Sequence, residues 1–407
     1  MHFSTILTRS PSKLLSHLSR LSYREHVVLF SLSPNVASSE LAQLIQRLTT
    51  LSPQTIGCLS APLPGHEELL SCSIGAFRPE NCIPFRSQIA GRASTQVGRR
   101  HSFRHKESQH AFQDEVPPGK FDWEDVWDQS LTSNELPPAL QSSSSEDIAT
   151  VIYFTDAAPE GLSNALGRFP KTTKLGLLAT PTPFITGRPV TLFEGDRIHG
   201  SGAVGVALKH PKAQTRVQFL DMSPLSSPMA VTQAEGNLVI SLDNKNPTQL
   251  LLEAIRKSGI ELSASDTLKD NDEFCLATLQ NDQPHQMSHI ISGDPSRGTI
   301  ALRTMSGPPI GAHVQFFHRP KSTNPTIPSE LTRSANPQPT LGFIATSETH
   351  QSLFPSAEDE GVQVFEGTYL AGSEGGFILS RSEEGKSETP WNCTVPGGLG
   401  MLTWRET

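Results

Sequence analysis

The chain has 407 residues, a formal charge of −8, 36% hydrophobic residues, 30 glycines and 32 prolines. That length asks for about two domains, the composition can build a core, and the Pro and Gly content favours turns and short strands over a long helical array. The longest apolar run, Ala203 to Leu208 with Gly205 counted, falls far short of the ~18 residues of a spanning helix, and the acidic balance gives no reason to seek nucleic acid or an acidic lipid surface.

Residues 1–25 carry Arg9, Lys13, Arg20 and Arg24, scattered serines and no acid before Glu25, with Leu14, Leu15, Leu18 and Leu21 on one helical face. Two readings stand: a mitochondrial transit-like segment, or the first surface helix of an intracellular, cytoplasmic protein. From His26 the run Val27-Val28-Leu29-Phe30 predicts a buried strand. Ser38 caps a predicted helix bearing Leu41, Leu44, Ile45 and Leu48, and Thr55–Leu59 and Leu70–Phe77 read as two more strands, completing a βαββ unit. About 91–147 is polar, passing through Arg99-Arg100-His101-Ser102, the acidic stretch Phe121–Trp127 and Ser142–Ser145. It reads as a flexible insert, with Trp123 and Trp127 spaced to dock one helical turn.

At Ala149 the unit begins again, with strand Val151–Thr155, a short helix Pro159–Arg168 and strand Lys174–Ala179. Ile56 to Pro64 and Leu175 to Pro183 both end a strand in Pro-x-Pro, and Leu341 to Ser347 repeats the start of that phrase, which points to internal duplication. Further on, Asn246 caps a helix with Pro247 in its first turn, Leu251, Ala254 and Ile255 inward, Arg256 and Lys257 at its end and Gly259 to stop it. A loop at 321–339 separates the strand His313–Phe317 from one at Thr340. The expected fold class is mixed α/β, as tandem modules, each a twisted mixed sheet with helices packed on it. The divisions fall at 1–25, 26–235 with its insert, and 236–407 with its loop.

Motifs add little chemistry by themselves. Gly200-Ser201-Gly202-Ala203-Val204-Gly205 matches the dinucleotide fingerprint, which requires a strand before it and a helix after it. Here a strand follows and Pro211 comes soon after, so the glycines predict a bulged turn and no nucleotide cofactor. His285 and His289 fall on an extended stretch, His66-Glu67 lacks the second histidine of a zinc motif, and no metal is expected. The five cysteines form no CxxC and fit reduced, buried thiols. Ser102, behind two arginines, is a candidate phosphorylation site.

Pro183-Phe184-Ile185-Thr186-Gly187-Arg188-Pro189-Val190-Thr191-Leu192-Phe193, continued by Ile198 to Leu208, resembles the FIST domain family, the F-box and intracellular signal transduction domain. Pro224-Leu225, Val231 to Asn237, Leu242-Asp243 and Asn246-Pro247 look like the junction between that family's N-terminal and C-terminal modules. Ile291 to Leu302, followed by Pro309 to Phe316, looks like the centre of its C-terminal module, so that the resemblance spans about residues 26–404 apart from the two polar inserts. It implies a non-catalytic sensory module for small ligands such as amino acids in intracellular signalling. Because residues 1–25 alone precede the first strand, it also implies a stand-alone eukaryotic, fungal-type member without an F-box. The chain departs from the family pattern in two places. Ala345-Thr346-Ser347-Glu348-Thr349 stands where the C-terminal module has Ser-Cys-Asn-Gly-Arg, and Gly372-Ser373-Glu374-Gly375-Gly376 stands where its last motif ends in Gly-Glu.

An amino-acid-like ligand needs convergent donors and an opposing charge. Arg188, on the turn between two predicted strands, is the candidate carboxylate donor because its planar fork pairs a carboxylate bidentately. Glu374, amid glycines that let a ligand approach, is the candidate partner of an ammonium, and Ser347 and Glu348 complete the candidate set. Two other readings remain: a scaffold that recruits protein partners through an exposed apolar patch, and a hydrolase, which requires a Ser/Cys–His pair within hydrogen-bond reach.

Overall fold

The computed structural model describes residues 1–89, 135–260, 272–294, 298–304, 306–320, 325–333, 335–347, 361–383 and 386–405. Trp123, Trp127 and most of the polar insert lie outside them.

The strand Val27–Leu32 (β2) is buried at every position, and so needs a packed layer on each face. Its sheet also contains His2–Thr8 (β1), Gln54–Leu59 (β3), Leu70–Phe77 (β4), Leu192–Glu194 (β8), Arg197–His199 (β9), Gln214–Phe219 (β11), Ala335–Ala345 (β19), Gln363–Ser373 (β20) and Gly398–Thr403 (β25). These form ten strands in the order β11-β25-β19-β20-β1-β4-β2-β3-β8-β9. A second sheet is built from Cys82–Ser87 (β5), Thr150–Thr155 (β6), Thr173–Leu178 (β7), Ala203–Leu208 (β10), Phe377–Ser380 (β21) and Trp391–Cys393 (β24), ordered β24-β21-β7-β6-β10-β5. A short hairpin, Ser382–Glu383 (β22) with Lys386–Ser387 (β23), connects its last two strands.

Alternation along the strands decides what each face meets. Phe3, Leu29, Ile56 and Phe343 of the first sheet share one core with Ile152, Phe154, Leu177 and Val204 of the second, so the sheets stack face to face. On its other face the first sheet carries helices Pro11–Ser19 (α1) and Ser38–Thr49 (α2), whose Leu14, Leu18, Leu41, Leu44 and Leu48 pack with Ile6, Val28, Phe30 and Ile74. The second sheet's outer face is covered by Glu160–Ala165 (α3) and the turn at Pro138–Leu140, through Leu140, Leu162 and Leu166. The result is mixed α/β, helix on sheet on sheet on helix, and strands from both halves of the chain pair in both sheets. Ser4 of β1 faces Glu366 of β20, and Leu177 of β7 faces Phe377 of β21.

Between β11 and β19 the chain builds a separate body from Ser223–Pro224 (β12), Met229–Glu235 (β13), Leu238–Leu242 (β14), Asp272–Gln280 (β15), Gln283–Asp294 (β16), Thr299–Leu302 (β17) and His313–Pro320 (β18). Their order is β12-β18-β13-β14-β17-β16-β15, and β18 pairs with β15 as well, which closes the sheet into a barrel. Val231, Val239, Phe274, Leu276, Ile300, Val314 and Phe316 form its core together with Leu251 and Ile255. Those two residues belong to Pro247–Lys257, the helix whose Asn246 side chain accepts from the Gln249 amide at 3.0 Å, as the cap pattern predicts. It is the last of the described helices; the short helix Pro183–Thr186 (α4) precedes it, and it is labelled α5. Cys275, Ala277, Met287 and Phe317, on the barrel's outer wall, join the core between the two sheets.

Four local expectations are corrected. Residues 1–25 are not one helix, because β1 precedes α1 and pairs on both sides, with β4 and β20. Ser38 is the first helical residue and not the cap; Ala37 holds the cap position and makes no side-chain bond. The insert ends earlier than residue 147, because Leu136 and Leu140 are buried, 5% and 0% exposed, against the second sheet. The segment 321–339 is more than a loop: Ile327 and Leu331 pack with Leu7, Ile344 and Phe365, and β19 already begins at Ala335. The three phrases that suggested duplication, by contrast, all form strands of parallel pairs, β2 with β3, β6 with β7 and β19 with β20. Among the described residues no helix is long and apolar enough to cross a membrane.

Candidate functional site

In sheets with parallel pairs, ligands collect beyond the carboxyl ends of the strands, where loops converge and side chains are not needed for packing. Here the carboxyl ends of β3, β7, β19 and β20 meet at one corner of the sandwich. Thr180 N donates to Leu59 O at 3.2 Å and Ala61 N to Gly372 O at 2.9 Å, while Thr346 N donates to Ser373 O at 2.8 Å. The Ser373 hydroxyl donates to the Leu178 carbonyl and accepts from Gly375 N at 3.0 Å. Gly372 is required by this crossing, since a Cβ there would stand 2.9 Å from Pro62 O and 3.1 Å from Ala61 O. The Pro-x-Pro exit of β3 therefore runs directly over the end of β20.

Glu374 is the charged member of this corner. It is half-buried, and the Thr180 hydroxyl donates to its Oε2 at 2.9 Å. Thr346 contributes a hydroxyl that is buried and has no hydrogen-bond partner. Ser347 follows it and is exposed. Glu348 and Ser102 lie outside the described residues. Arg188 is on the loop that leaves β7, exposed, with a long contact of 3.4 Å from its NH1 to Thr186 O and its aliphatic stem over Gly200. A hydroxyl network shapes that loop: Thr191 Oγ1 lies 2.7 Å from Thr182 Oγ1 and 2.8 Å from Thr186 Oγ1, and Thr182 also donates to Arg188 O at 3.2 Å. No described contact joins Arg188 to Glu374. Thr180, Thr346 and Ser373 escaped the sequence reading because single hydroxyls at strand ends carry no motif; the repeated Pro-x-Pro phrase was the one signal pointing to their neighbourhood.

The glycine-rich stretch at Gly200 is a structural turn. Gly202 has φ +76°, and its amide donates to Asp156 Oδ2 at 2.5 Å while its carbonyl accepts from Asp156 N at 2.9 Å. Arg86 NH2 and NH1 hold the carbonyls of Ser201 and Ala203 at 2.6 and 2.9 Å. Strand β10 follows at once, so the amides are committed to Asp156 and to a ladder, and no helix N-terminus is present to receive a phosphate.

The two histidines of β16 have separate surroundings. His285 Nε2 lies 2.8 Å from Glu388 Oε1, and Arg381 NH2 donates to His285 O at 2.9 Å. Burial alone would raise the Glu388 carboxyl, but hydrogen bonds from His285 and Gln286 and the charge of Arg381 hold it below its ordinary range. His289 Nδ1 is 3.7 Å from Cys275 Sγ, the Cys–His proximity that a thiol hydrolase would need. Its Nε2 faces Thr394 O at 3.3 Å, which places the ring proton there and leaves Nδ1 to accept from the thiol. Burial pushes the Cys275 thiol up and the His289 imidazole down. Both effects favour the neutral pair, whereas nucleophilic catalysis needs the thiolate, and Cys275 is sealed in the core.

A pocket of about 50 Å³, partly open to solvent, lies at the mouth of the barrel, against Trp391 of β24. Neither Arg188 nor Glu374 lines it. In comparison with known proteins, the family model described as FIST N domain matches residues 26–245. No curated protein matches the chain.

Proposed function

The chain belongs to the FIST family, one associated with small-ligand sensing in signalling, and from that premise we propose that it senses an amino acid or a related small amine at the carboxyl-end corner of its two sheets. The observation that carries this reading is Glu374, a half-buried carboxylate held by Thr180 beside the unpartnered hydroxyl of Thr346. A ligand ammonium can pair with that carboxylate and supply a donor for the buried Thr346 oxygen. Ser347 and Glu348 continue the same segment. Arg188, on the loop that leaves β7, is the carboxylate partner in this reading.

A thermal-shift screen of the purified chain against amino acids, small amines and small carboxylates tests it. A ligand at 100 times its dissociation constant adds ~2.7 kcal/mol of stability. Glu374→Gln should abolish stabilisation by any amine that acts on the wild type, and Arg188→Ala should weaken amino acids while sparing simple amines. If amine stabilisation persists in Glu374→Gln, the corner is not the site.

One observation favours a second reading, a scaffold for protein partners. Phe184 in α4 is 101% exposed and Ile198 in β9 is 43% exposed, and large exposed rings are typical anchors of interfaces. In that case Phe184→Ser would remove partner capture and leave every ligand-induced shift intact.

A further inference from the structure

The barrel carries an opening that the corner site does not use. Leu276 and Thr278 of β15 pair with Ser288 and Gln286 of β16, so all four side chains point to the same face. With Leu302 they line the cavity at the barrel mouth, and Trp391 closes it from the sandwich. Barrel mouths are recurrent ligand positions, and a pocket of about 50 Å³ has room for a ligand of a few heavy atoms, since one water needs only ~10–15 Å³ on the same measure.

Most polar groups in the lining are already committed. Thr278 Oγ1 accepts from Gln286 N at 3.2 Å, Gln286 Nε2 donates to Glu388 at 2.6 Å, and Thr304 Oγ1 donates to Ser306 O at 3.0 Å. Two groups are not. Trp391 is 5% exposed and its indole N–H is buried without a partner. Ser288 is 8% exposed, and its hydroxyl makes no hydrogen bond among the described residues. A buried indole N–H normally finds an acceptor, and leaving one unmatched is unfavourable.

We propose that the barrel mouth is a second binding site, for a small uncharged molecule whose carbonyl or hydroxyl oxygen accepts from Trp391 and engages Ser288. Its charge follows from the lining. Among the described residues no ionised side chain lines the cavity, and Glu388, which Gln286 reaches, is hydrogen-bonded to His285 and paired with Arg381. An ionic ligand would be desolvated without a counter-charge. Leu276 and Leu302 receive its apolar part. This site is independent of Glu374.

Four tryptophans give four indole N–H resonances, so one of them reports the site directly. The full-length protein is titrated with acetamide, glycerol and sodium acetate, with Trp391→Phe assigning the resonance. The expected result is a saturable shift of the Trp391 indole with acetamide or glycerol, no shift with acetate, and no change when Glu374 is replaced by Gln. Ser288→Ala should weaken the neutral probe about tenfold, one hydrogen bond's worth. If neither neutral probe produces a saturable shift, or acetate matches them, the proposal is wrong. Should Trp391→Phe not fold, Ser288→Ala decides, and an unchanged affinity for the neutral probe overturns it.

Discussion

A single missing methyl group is decisive at Gly205. It lies in the centre of β10, and a Cβ there would come within 2.5 Å of Ile152 O, 2.6 Å of Tyr153 Cβ and 2.8 Å of Phe85 Cζ. The first two are main-chain carbonyl and side-chain root, which cannot rotate away, so the neighbouring strand must move. Gly205→Ala should therefore lower stability by ~1–3 kcal/mol, as overpacking does, read by denaturant titration. Since the fingerprint-like turn is tied to Asp156 and Arg86, NAD or NADP should shift the melting temperature of neither protein. A wild-type shift lost in the variant would restore the nucleotide reading. The turn and the strand after it could be read from the sequence, because Pro211 and the apolar run after Gly202 already exclude a helix. The setting of Glu374 among glycines could be read for a similar local reason. Its partner Thr180 could not, because 194 residues separate them and only the crossing of two sheets brings them together.

At the scale of elements, solid apolar runs and helical spacings were legible wherever burial was achieved with apolar residues, as in β2, α2 and α5. Strand β1 was not. Its sequence HFSTILT interleaves hydroxyls that are buried only because the tertiary structure satisfies them, as when Thr5 Oγ1 meets Ser73 Oγ at 2.9 Å and donates to Thr368 O at 2.9 Å. Buried but satisfied hydroxyls look exposed to any reading based on hydropathy. The turn at Pro138–Leu140 was missed for a related reason: two leucines in a polar stretch have no periodicity, although both Leu136 and Leu140 are buried with Phe85, Tyr153 and Leu162. Leu140→Ala should cost ~2–5 kcal/mol, as for other fully buried leucines. A chemical-denaturation difference below ~0.5 kcal/mol, the range of ordinary surface changes, would return this segment to the insert.

For the whole molecule, the architecture is a sandwich completed from both ends of the chain, with a barrel inserted between β11 and β19. The barrel strands and α5 are contiguous in sequence and enclose their own core. A fragment spanning 223–320 should therefore show dispersed amide resonances and a cooperative melt, while a fragment spanning 1–235 should show neither, lacking β20 and β21, which pair with one edge each of β1 and β7. A barrel fragment without cooperative unfolding would mean that Cys275, Ala277, Met287 and Phe317 need the sandwich to be held in place. The pairing of β1 with β20 has a further consequence during synthesis. Thr5 and Thr368, joined in the finished sheet, are 363 residues apart, an interval of roughly 20–70 s at ribosomal elongation rates. Through that interval β1 emerges with one edge open, the barrel can close before the sheet that precedes it is complete, and the nascent chain presents a template for wrong strand pairing. Demand for chaperone protection should consequently peak while residues between β11 and β20 are being translated, and end when β20 docks.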